Sequence, residues 1–397
     1  MQGSQIATDV LSRPPPEAAW RALAGGMPPG HRFLGAAWFS AWAEHLLPYE
    51  TWRGPLRYVV AAQADGMLSG AIPLATQRQF GFPVASLGGF YWPFRAPLIV
   101  EAGTEATCEA LAAALTRSRL PVALRYGPVP GDDSGIAALT ASLASRGWRL
   151  HRTRVGTTYA VDLPGTWVDL ERRIGKGLRT DIHYCERKLA REGTLEIRCI
   201  AGAGNPGWRR AIDDMGAIER RSWQFRERGN LRFYGERNAA FWTRLLVDGG
   251  FGEIAVAWLM RFNGEPVSFC FCLDCGDVRY ILANNYAESV RRYSTGSVLY
   301  KHVFRQAVES GTVRRVNIGL GDPGYKSRWG AQPAFDLVDW IAFRPGPRGA
   351  TFDLAWRLRK AAATVRRARQ ERRDDDANAA KRSCARCVLS ARTGGGV

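Results

Sequence analysis

The sequence contains no long apolar run. Over its 397 residues, no segment reaches the roughly 18 consecutive apolar residues that a membrane-spanning helix needs. Residues 1–16 also lack the basic start and the apolar core of a secretory signal. We therefore expect a cytoplasmic protein, with peripheral attachment to the inner membrane as its closest association with a bilayer.

Cysteine is sparse, and its spacing suits neither disulfides nor a metal. Eight cysteines do not make a disulfide framework in a cytoplasmic chain of this length. Cys384 and Cys387 form a CxxC pair, but no second pair or paired histidines lie near them to complete four zinc ligands. Cys270 and Cys272 fall on one face of a predicted strand, where such residues pack as small apolar groups. We expect no metal and no cysteine nucleophile.

Acidic residues are scarce beside basic ones. The 55 Lys and Arg against 37 Asp and Glu give a net charge of +18. Residues 351–397 hold 12 Lys and Arg and 5 Asp and Glu, which is +7, so the rest of the chain carries +11. Such a charge favours an anionic partner: nucleic acid, an acidic membrane surface or a phosphorylated small molecule. Solubility alone is the alternative explanation.

Hydrophobic residues make up 46% of the chain, which excludes full disorder. At roughly 150 residues per domain, the length allows two to three domains. Turn signals and composition predict a unit over 1–164, a unit over 165–350 and a basic tail over 351–397. In the first unit, the predicted helices lie at 37–46, 105–117 and 135–146, and the predicted strands at 57–64, 67–75, 122–126 and 157–163.

The second unit opens with a long basic stretch. Its apolar residues recur at spacings of 4, 4, 4, 3 and 4, which predicts a helix over 168–192. Gly175 and Gly177 weaken the middle of this helix and predict a break near Lys176. Its arginines form either a solvated face or a surface for an anion.

Six strands are predicted in the rest of this unit, at 194–200, 253–262, 266–273, 278–284, 313–318 and within 332–344. The strands at 253–262, 266–273 and 278–284 form a predicted antiparallel meander. The predicted helices lie at 208–223, 237–247, 296–309 and 354–369. The composition of residues 371–397 is typical of disorder. The order meander, loop, helix, strand puts a helix start next to the end of a sheet strand. Backbone N–H groups at such a start attract an anion such as a pyrophosphate.

The loop before that helix carries residues that suit an anion. Arg291 and Arg292 add positive charge. Gly296 permits close approach to the backbone, and Ser294 and Thr295 are N-cap types. An ordinary capped helix is the alternative, because these residue types are the preferred caps.

Several short motifs of the second unit occur together. They are ERKLAREG at 186–193, ERRSW at 219–223, YSTG at 293–296 after Asn285 and Tyr286, GLGD at 319–322 and YKSRWG at 325–330. In these motifs the chain resembles GNAT-like acyltransferases of the FemAB-like group, especially the bacterial acetyltransferases associated with cellulose and exopolysaccharide biosynthesis. The resemblance covers about 157–343. It departs at Thr295, where the group usually has proline, and this change leaves the backbone amides in place.

The resemblance implies an α/β (α+β) fold of tandem GNAT-like domains with mixed, mostly antiparallel sheets flanked by helices. The first domain would be a degenerate twin of the second. The second would bind acetyl-CoA or another acyl-CoA with its pyrophosphate on the helix start. The implied donor-site residues are Asn284, Arg291, Arg292, Ser294, Thr295, Gly296 and Ser297. The acceptor, a small molecule or glycan, would lie between the domains, and the implied acceptor-site residues are Glu219, Trp223, Asn285 and Trp329.

Acyl transfer from a thioester needs a base, a positioned acceptor and a group that stabilises the developing oxyanion. Asp322 follows a strand through two glycines and is the candidate base or acceptor-orienting group, with a turn role as the alternative. Tyr325 and Lys326, close behind, are further catalytic candidates; Lys326 would bind an acidic acceptor or stabilise charge, with an ordinary surface lysine as the alternative. Trp223 shares a helix face with Glu219 and is a candidate for stacking on a sugar, with core packing as the alternative.

Three functions fit these features. The first is transfer of an acyl group, in particular acetyl, from acyl-CoA to an amine or hydroxyl of a cell-envelope or exopolysaccharide acceptor within a ternary complex. The second is an aminoacyl-tRNA-dependent transferase, which the positive charge favours and the lack of a long inserted helical hairpin disfavours. The third is an inactive GNAT-like module whose basic tail binds an anionic membrane surface or a partner.

Overall fold

The structure is a computed structural model that describes residues 6–363, 365, 366 and 369, apart from gaps at 28–32, 50–51, 80, 90–96, 101–103, 228 and 230. The strands are β1 (Ala7–Leu11), β2 (Trp52–Ala62), β3 (Leu68–Gln79), β4 (Phe82–Leu87), β5 (Leu98–Ile99), β6 (Ala123–Pro130), β7 (Arg149–Asp162), β8 (Leu195–Ala201), β9 (Ala255–Phe262), β10 (Glu265–Cys275), β11 (Val278–Tyr286), β12 (Arg315–Leu320) and β13 (Gln332–Phe343). The helices are α1 (Glu17–Gly26), α2 (Ala36–His45), α3 (Thr104–Arg117), α4 (Ser134–Ser145), α5 (Trp167–Arg173), α6 (Lys176–Glu192), α7 (Gly207–Arg220), α8 (Trp223–Arg226), α9 (Glu236–Leu246), α10 (Thr295–Glu309) and α11 (347–363, with 365, 366 and 369 also helical).

One continuous mixed sheet runs through both halves of the described chain. Its strand order is β1-β2-β3-β4-β6-β13-β7-β12-β11-β10-β9-β8, with β5 beside β3. Neighbouring strands are antiparallel except for two parallel pairs, β4 with β6 and β11 with β12. The expected fold class, a mixed and mostly antiparallel sheet flanked by helices, is confirmed. The two halves share one sheet, however, and do not form one sheet each.

The halves exchange their last strands at the centre of this sheet. Strand β7 ends the first half but pairs with β12 of the second. Strand β13 ends the second half but pairs with β6 of the first. The two exchanged strands also pair with each other along their length. The boundaries near 164 and 350 are boundaries in sequence only, because the paired strands β7 and β13 join the two halves in space.

Each half contains a parallel strand pair whose connection includes a helix, α3 between β4 and β6 and α10 between β11 and β12. In the second half, pairing is limited to Val278–Tyr280 against Arg315–Asn317. Both strands continue beyond these pairs, β11 to Tyr286 and β12 to Leu320. A gap therefore opens between the ends of the two strands, and α10 begins beside it.

The basic stretch 168–192 is broken where its glycines predict a break. Helix α5 ends at Arg173, and α6 begins at Lys176 with Gly175 as its N-cap. The expected apolar stripe of α6 packs into the core that also contains α10, and its buried members are Leu178, Ile182, Cys185 and Leu189. Arg187 and Arg191 consequently lie on its outer side, whereas Arg179 is half-buried.

Strand β10 separates two hydrophobic cores, one on each face of the sheet. Phe269 and Phe271 join the core beside α7 and α9, whereas Cys270 and Cys272 join the core beside α6 and α10. This is the alternation expected from the sequence. Burial raises the pKa of Cys270 well above its usual value, which favours an unreactive thiol.

Arg279 fastens α10 to β11 from inside the protein. Its side chain is fully buried, and its guanidinium donates to both carboxylate oxygens of Asp274 at 2.7 Å. It also donates to the Val303 carbonyl at 3.1 Å and to Gln306 Oε1 at 2.6 Å, both in α10. A buried ion pair needs such additional hydrogen bonds to offset its desolvation. Because Arg279 lies in the short paired stretch, it fixes α10 close to the point where the strands part.

Most predicted elements coincide with observed ones to within a few residues. Strand β7 begins at Arg149, earlier than the predicted Thr157, because pairing with β13 supports a polar segment that has no apolar alternation. The predicted helix 208–223 ends at Arg220 and is followed by the separate helix α8. Strands β1, β4 and β5 and helix α1 were not predicted. The CxxC pair and the tail 371–397 lie wholly outside the described residues.

Within the described ranges, no helix combines the length and the apolar character that crossing a bilayer requires.

Asp274→Ala should lower the free energy of unfolding by about 3 kcal/mol, because it leaves the buried Arg279 without a counter-ion. Asp162→Ala is the matched control: its partner Arg315 forms an exposed pair, and its loss should change stability by about 0.5 kcal/mol or less. Urea unfolding of the two variants and the parent measures both. Equal losses would contradict the anchoring role of Arg279.

Candidate functional site

Helix α10 begins beside the strand gap with hydrogen-bond donors available. Ser294, just before it, has φ 47°, a left-handed conformation that is uncommon outside glycine. Ser297 and Val298 donate their N–H groups to the Ser294 carbonyl. Within the described part of the chain, no acceptor takes the N–H groups of Thr295 and Gly296, and the buried Thr295 hydroxyl also has no partner there. These groups suit an anion or a carbonyl oxygen of a ligand.

Gly296 faces the end of β11. A Cβ atom added to it would lie 3.6 Å from Oδ1 of Asn284. Asn284 itself belongs to the part of β11 that has left β12. A side chain longer than alanine at Gly296 would therefore occupy the space between the helix start and the strand.

The two arginines of the preceding loop have different surroundings. Arg292 donates to Glu192 Oε2 at 3.2 Å and lies over the Tyr293 ring, whose hydroxyl also donates to Glu192. Arg291 is exposed and has no ion pair with the described residues. Arg292 thus joins α6 to the loop, and Arg291 is the freer positive charge for a ligand.

A row of polar side chains crosses the gap from β11 to the segment after β12. Tyr300 lies between Asn284 and Tyr325 and interacts electrostatically with both, and its ring centroid is 6.3 Å from that of Tyr325. Tyr300 is buried in α10, whereas Tyr325 is 40% exposed. Of the two tyrosines, Tyr325 is therefore the one open to solvent or to a ligand. Burial raises the pKa of Tyr325 and keeps it protonated.

Lys326 is buried behind Tyr325. Its ammonium donates to the carbonyl oxygens of Gly319 and Leu320, at 2.9 Å each, in the stretch of β12 that lies beyond its pairing with β11. No carboxylate of the described residues forms an ion pair with it. Burial lowers the pKa of Lys326 to about 8, and the nearby Asp322 opposes this only in part. Lys326 therefore carries a positive charge near neutral pH, and it loses this charge at a lower pH than an ordinary lysine does.

Asp322 closes the turn that carries these two residues. Its carboxylate accepts the N–H groups of Gly324, Lys326 and Ser327 at 2.8, 3.0 and 3.1 Å. Desolvation raises its pKa, but these donors outweigh it, and the pKa lies below its usual value. An ionised carboxylate saturated with donors is a weak base. The geometry thus favours the turn role, in which Asp322 positions Tyr325 and Lys326.

Two of the predicted acceptor residues are committed to internal contacts. Trp329 is 1% exposed and stacks on Phe304 with ring centroids 5.0 Å apart. Glu219 is also 1% exposed, and it accepts the N–H groups of Arg232, Phe233 and Tyr234 at 2.8 to 3.0 Å. Trp329 is thus a core residue, and Glu219 holds the loop between α8 and α9, so a part for either residue at the acceptor stays a prediction.

Asn285 and Trp223 lie on the other side of the sheet from α10. Asn285 is buried, and its side-chain amide donates to Gln224 Oε1 at 3.0 Å, which ties α8 to the end of β11. Trp223 begins α8 and is 38% exposed, close to the exposed Phe225. Of the four predicted acceptor residues, Trp223 alone presents a large open surface.

Sequence reasoning missed Tyr300, which links the two sides of the gap. Its position four residues after Gly296 is one turn into α10, so both residues share a helix face. The available signal was a polar hydroxyl on an otherwise apolar stripe. Among the described residues, no group of three or more His, Cys, Asp and Glu side chains is arranged to hold a metal ion.

The chain is similar to known proteins in its overall fold and in the segment 176–327. Residues 176–327 match the family model described as "Acetyltransferase (GNAT) domain". The chain is similar to the crystal structure of FemX, with 10% identity, a TM-score of 0.57 and coverage of 85% of this chain and 97% of that one. This likeness is one of fold. Comparison with curated sequences finds no match.

Two further solved structures are similar at lower scores. L-PGS from Bacillus licheniformis has 14% identity and a TM-score of 0.46, with 76% of this chain and 88% of that chain covered. A tandem GNAT protein from the clavulanic acid biosynthesis pathway has 15% identity and a TM-score of 0.44, with 86% and 100% covered. The matched segment 176–327 includes α10, the strand gap and the turn of Asp322.

Lys326→Met should reveal the lowered lysine pKa through stability. Between pH 8 and 10.5, the unfolded chain holds a proton on Lys326 that the folded chain has lost, so folding becomes more favourable as pH rises. The parent should therefore gain about 2 kcal/mol of unfolding free energy relative to the variant from pH 7 to pH 10. The exposed Lys176→Met is the control and should show a flat difference. A flat difference for Lys326→Met as well would contradict its burial as a cation.

Proposed function

We propose that the chain is an acyltransferase that uses acyl-CoA, in particular acetyl-CoA, as donor. The acceptor is an amine or a hydroxyl of a small molecule or glycan of the cell envelope or of an exopolysaccharide. The match of 176–327 to an acetyltransferase (GNAT) domain supports the reaction class. The observation that carries the proposal is the start of α10 beside Asn284, with Tyr300 and Tyr325 following across the gap, because it brings free backbone N–H groups and an exposed tyrosine to one gap.

The donor would use the start of α10. The free N–H groups of Thr295 and Gly296 and the unpartnered Thr295 hydroxyl would receive the pyrophosphate oxygens. Arg291 would add a screened positive charge at the rim. The pantetheine arm would then enter the gap between β11 and β12 and bring the thioester carbonyl to the level of Asn284.

The chemistry is direct attack. The acceptor nitrogen or oxygen forms a bond to the thioester carbon, the carbon–sulfur bond breaks, and the sulfur leaves as a thiolate. Tyr325 is the proposed proton donor to that thiolate, because it is protonated, 40% exposed and next to the gap, and it then regains a proton from solvent. The proton lost by the acceptor passes to solvent, which requires no carboxylate base. Asp322 and Lys326 act here as positioning residues.

The acceptor would approach from α8. Trp223 and Phe225 offer exposed aromatic surface, and Asn285 and Glu219 hold this segment against the end of β11. Aromatic faces stack on sugar rings, which agrees with a glycan acceptor. Glu219 and Asn285 would then affect the acceptor through α8 without touching it.

An aminoacyl-tRNA donor is the second candidate. Arg187 and Arg191 of α6 are exposed, as is Arg291, and Arg292 links the loop of Arg291 to α6 through Glu192. Phosphate contacts of this kind dominate affinity for nucleic acid. Binding of the intact chain to aminoacyl-tRNA and not to acyl-CoA would favour this candidate. An inactive module would bind neither.

Acetyl-CoA should bind to the purified chain saturably in calorimetry, and Gly296→Asp should remove binding. The aspartate would fill the space over Asn284 and place a negative charge at the pyrophosphate position. Gly35→Asp is the matched control, since it adds the same charge at the N-cap of α2, where nothing lies within 4 Å. It should bind like the parent. Retained binding by Gly296→Asp would place the donor elsewhere.

Tyr325→Phe should lower kcat about a hundredfold with little effect on acetyl-CoA affinity, because it removes only the proposed proton donor. The readout is release of free thiol from acetyl-CoA with glucosamine as a small amine acceptor, after subtraction of the thiol released without enzyme. Tyr184→Phe, an exposed tyrosine of α6, is the control and should retain full activity. An unchanged kcat for Tyr325→Phe would exclude Tyr325 as the donor of the proton.

A further inference from the structure

Helix α11 presents an apolar stripe to solvent. Leu354, Leu358 and Val365 are 59, 63 and 50% exposed and rank among the most exposed large apolar side chains of the described residues. Their spacing of four and seven residues puts them on one helix face. Ala361, also exposed, lies on the same face between them. Scattered single apolar residues need no explanation, but a continuous stripe on one helix does.

The opposite face of α11 is fixed to the protein. Phe352 packs edge-to-face on Phe82 with ring centroids 4.6 Å apart. Asp353 is buried and accepts from His151 at 2.6 Å, and Trp356 lies against the same histidine ring. These contacts orient the helix, so the exposed stripe is the outward side of a docked element.

Exposed arginines accompany the stripe. Asp353 is the one acidic residue between 348 and 369, and it faces inward, where Arg357 also reaches it. The basic residues in the same range are Arg348, Arg357, Arg359, Lys360, Arg366, Arg367 and Arg369. Arg359 and Lys360 lie over the inward rings of Phe82 and Trp356, whereas Arg348, Arg366 and Arg369 are exposed. The part of α11 that is open to solvent therefore combines aliphatic side chains with exposed arginines.

We propose that α11 docks the protein on an anionic lipid surface, with the leucine and valine side chains between the lipid chains and the basic residues at the phosphate groups. An interfacial helix has this combination of an apolar face and Lys/Arg flanks. The helix lies on the surface and does not span it. Docking would be weak and reversible, because the stripe is short.

The charge distribution argues against other occupants. A second copy of the chain would bring two sets of arginines together along the stripe, and like charges beside a helix seam are unfavourable. A nucleic acid would satisfy the arginines but would leave the leucines in water, since phosphate contacts need no aliphatic stripe. A lipid surface with negative headgroups satisfies both features.

The experiment is flotation of the full chain with vesicles of phosphatidylcholine plus phosphatidylglycerol, and with vesicles of phosphatidylcholine alone. The parent should float with the anionic vesicles, less so at high salt, and should bind neutral vesicles far more weakly. Substituting Leu354→Ser, Leu358→Ser and Val365→Ser together should reduce binding at least about tenfold. Met67→Ser, which changes an equally exposed residue of the first half, should bind like the parent.

Circular dichroism and urea unfolding of the serine variant check that it is folded, and they keep this inference separate from the proposed activity, on which it does not depend. Unchanged flotation of the serine variant, or equal binding to neutral vesicles, would overturn the proposal. So would a concentration-dependent dimer in light scattering that the serine variant abolishes, because a second copy would then cover the stripe. Binding of duplex nucleic acid by the parent in place of vesicles would overturn it as well.

Discussion

Parallel pairing between β11 and β12 stops after Tyr280, and the site described above depends on that short pairing. Beyond this point, the edges of β11 and β12 that face each other leave backbone groups that need other partners. Lys326 donates to the carbonyl oxygens of Gly319 and Leu320 in β12, and the start of α10 lines the gap beside β11. Arg279 keeps α10 against β11 at the same level, so the gap is held open by internal contacts.

Buried charged and polar groups hold neighbouring backbone segments together throughout the second half of the chain. Glu219 gathers three backbone N–H groups of the loop after α8, and Asp322 gathers three in the turn after β12. Both carboxylates lie in motifs that indicate a functional site. In the structure, each of them holds a backbone segment in place. The side chains left exposed around them, Trp223 and Tyr325, are those able to meet a ligand.

Periodicity and turn chemistry predicted the local elements well. The stripe of α6, the break at Gly175 and the start of α10 follow from residues close together in sequence. The strand exchange did not, because pairing of β7 with β13 joins residues nearly two hundred positions apart. The core position of Trp329 likewise depends on Phe304 of another element, and no local pattern distinguishes a stacked core tryptophan from an exposed one.

Hydrogen exchange with and without acetyl-CoA tests the central claim most directly, because it reports each backbone segment of the intact chain. The account predicts slower exchange concentrated in 284–298, at the end of β11 and the start of α10, with a smaller effect near 319–326. Protection elsewhere, or none at a saturating concentration of acetyl-CoA, would contradict the placement of an anionic donor in the gap between β11 and β12.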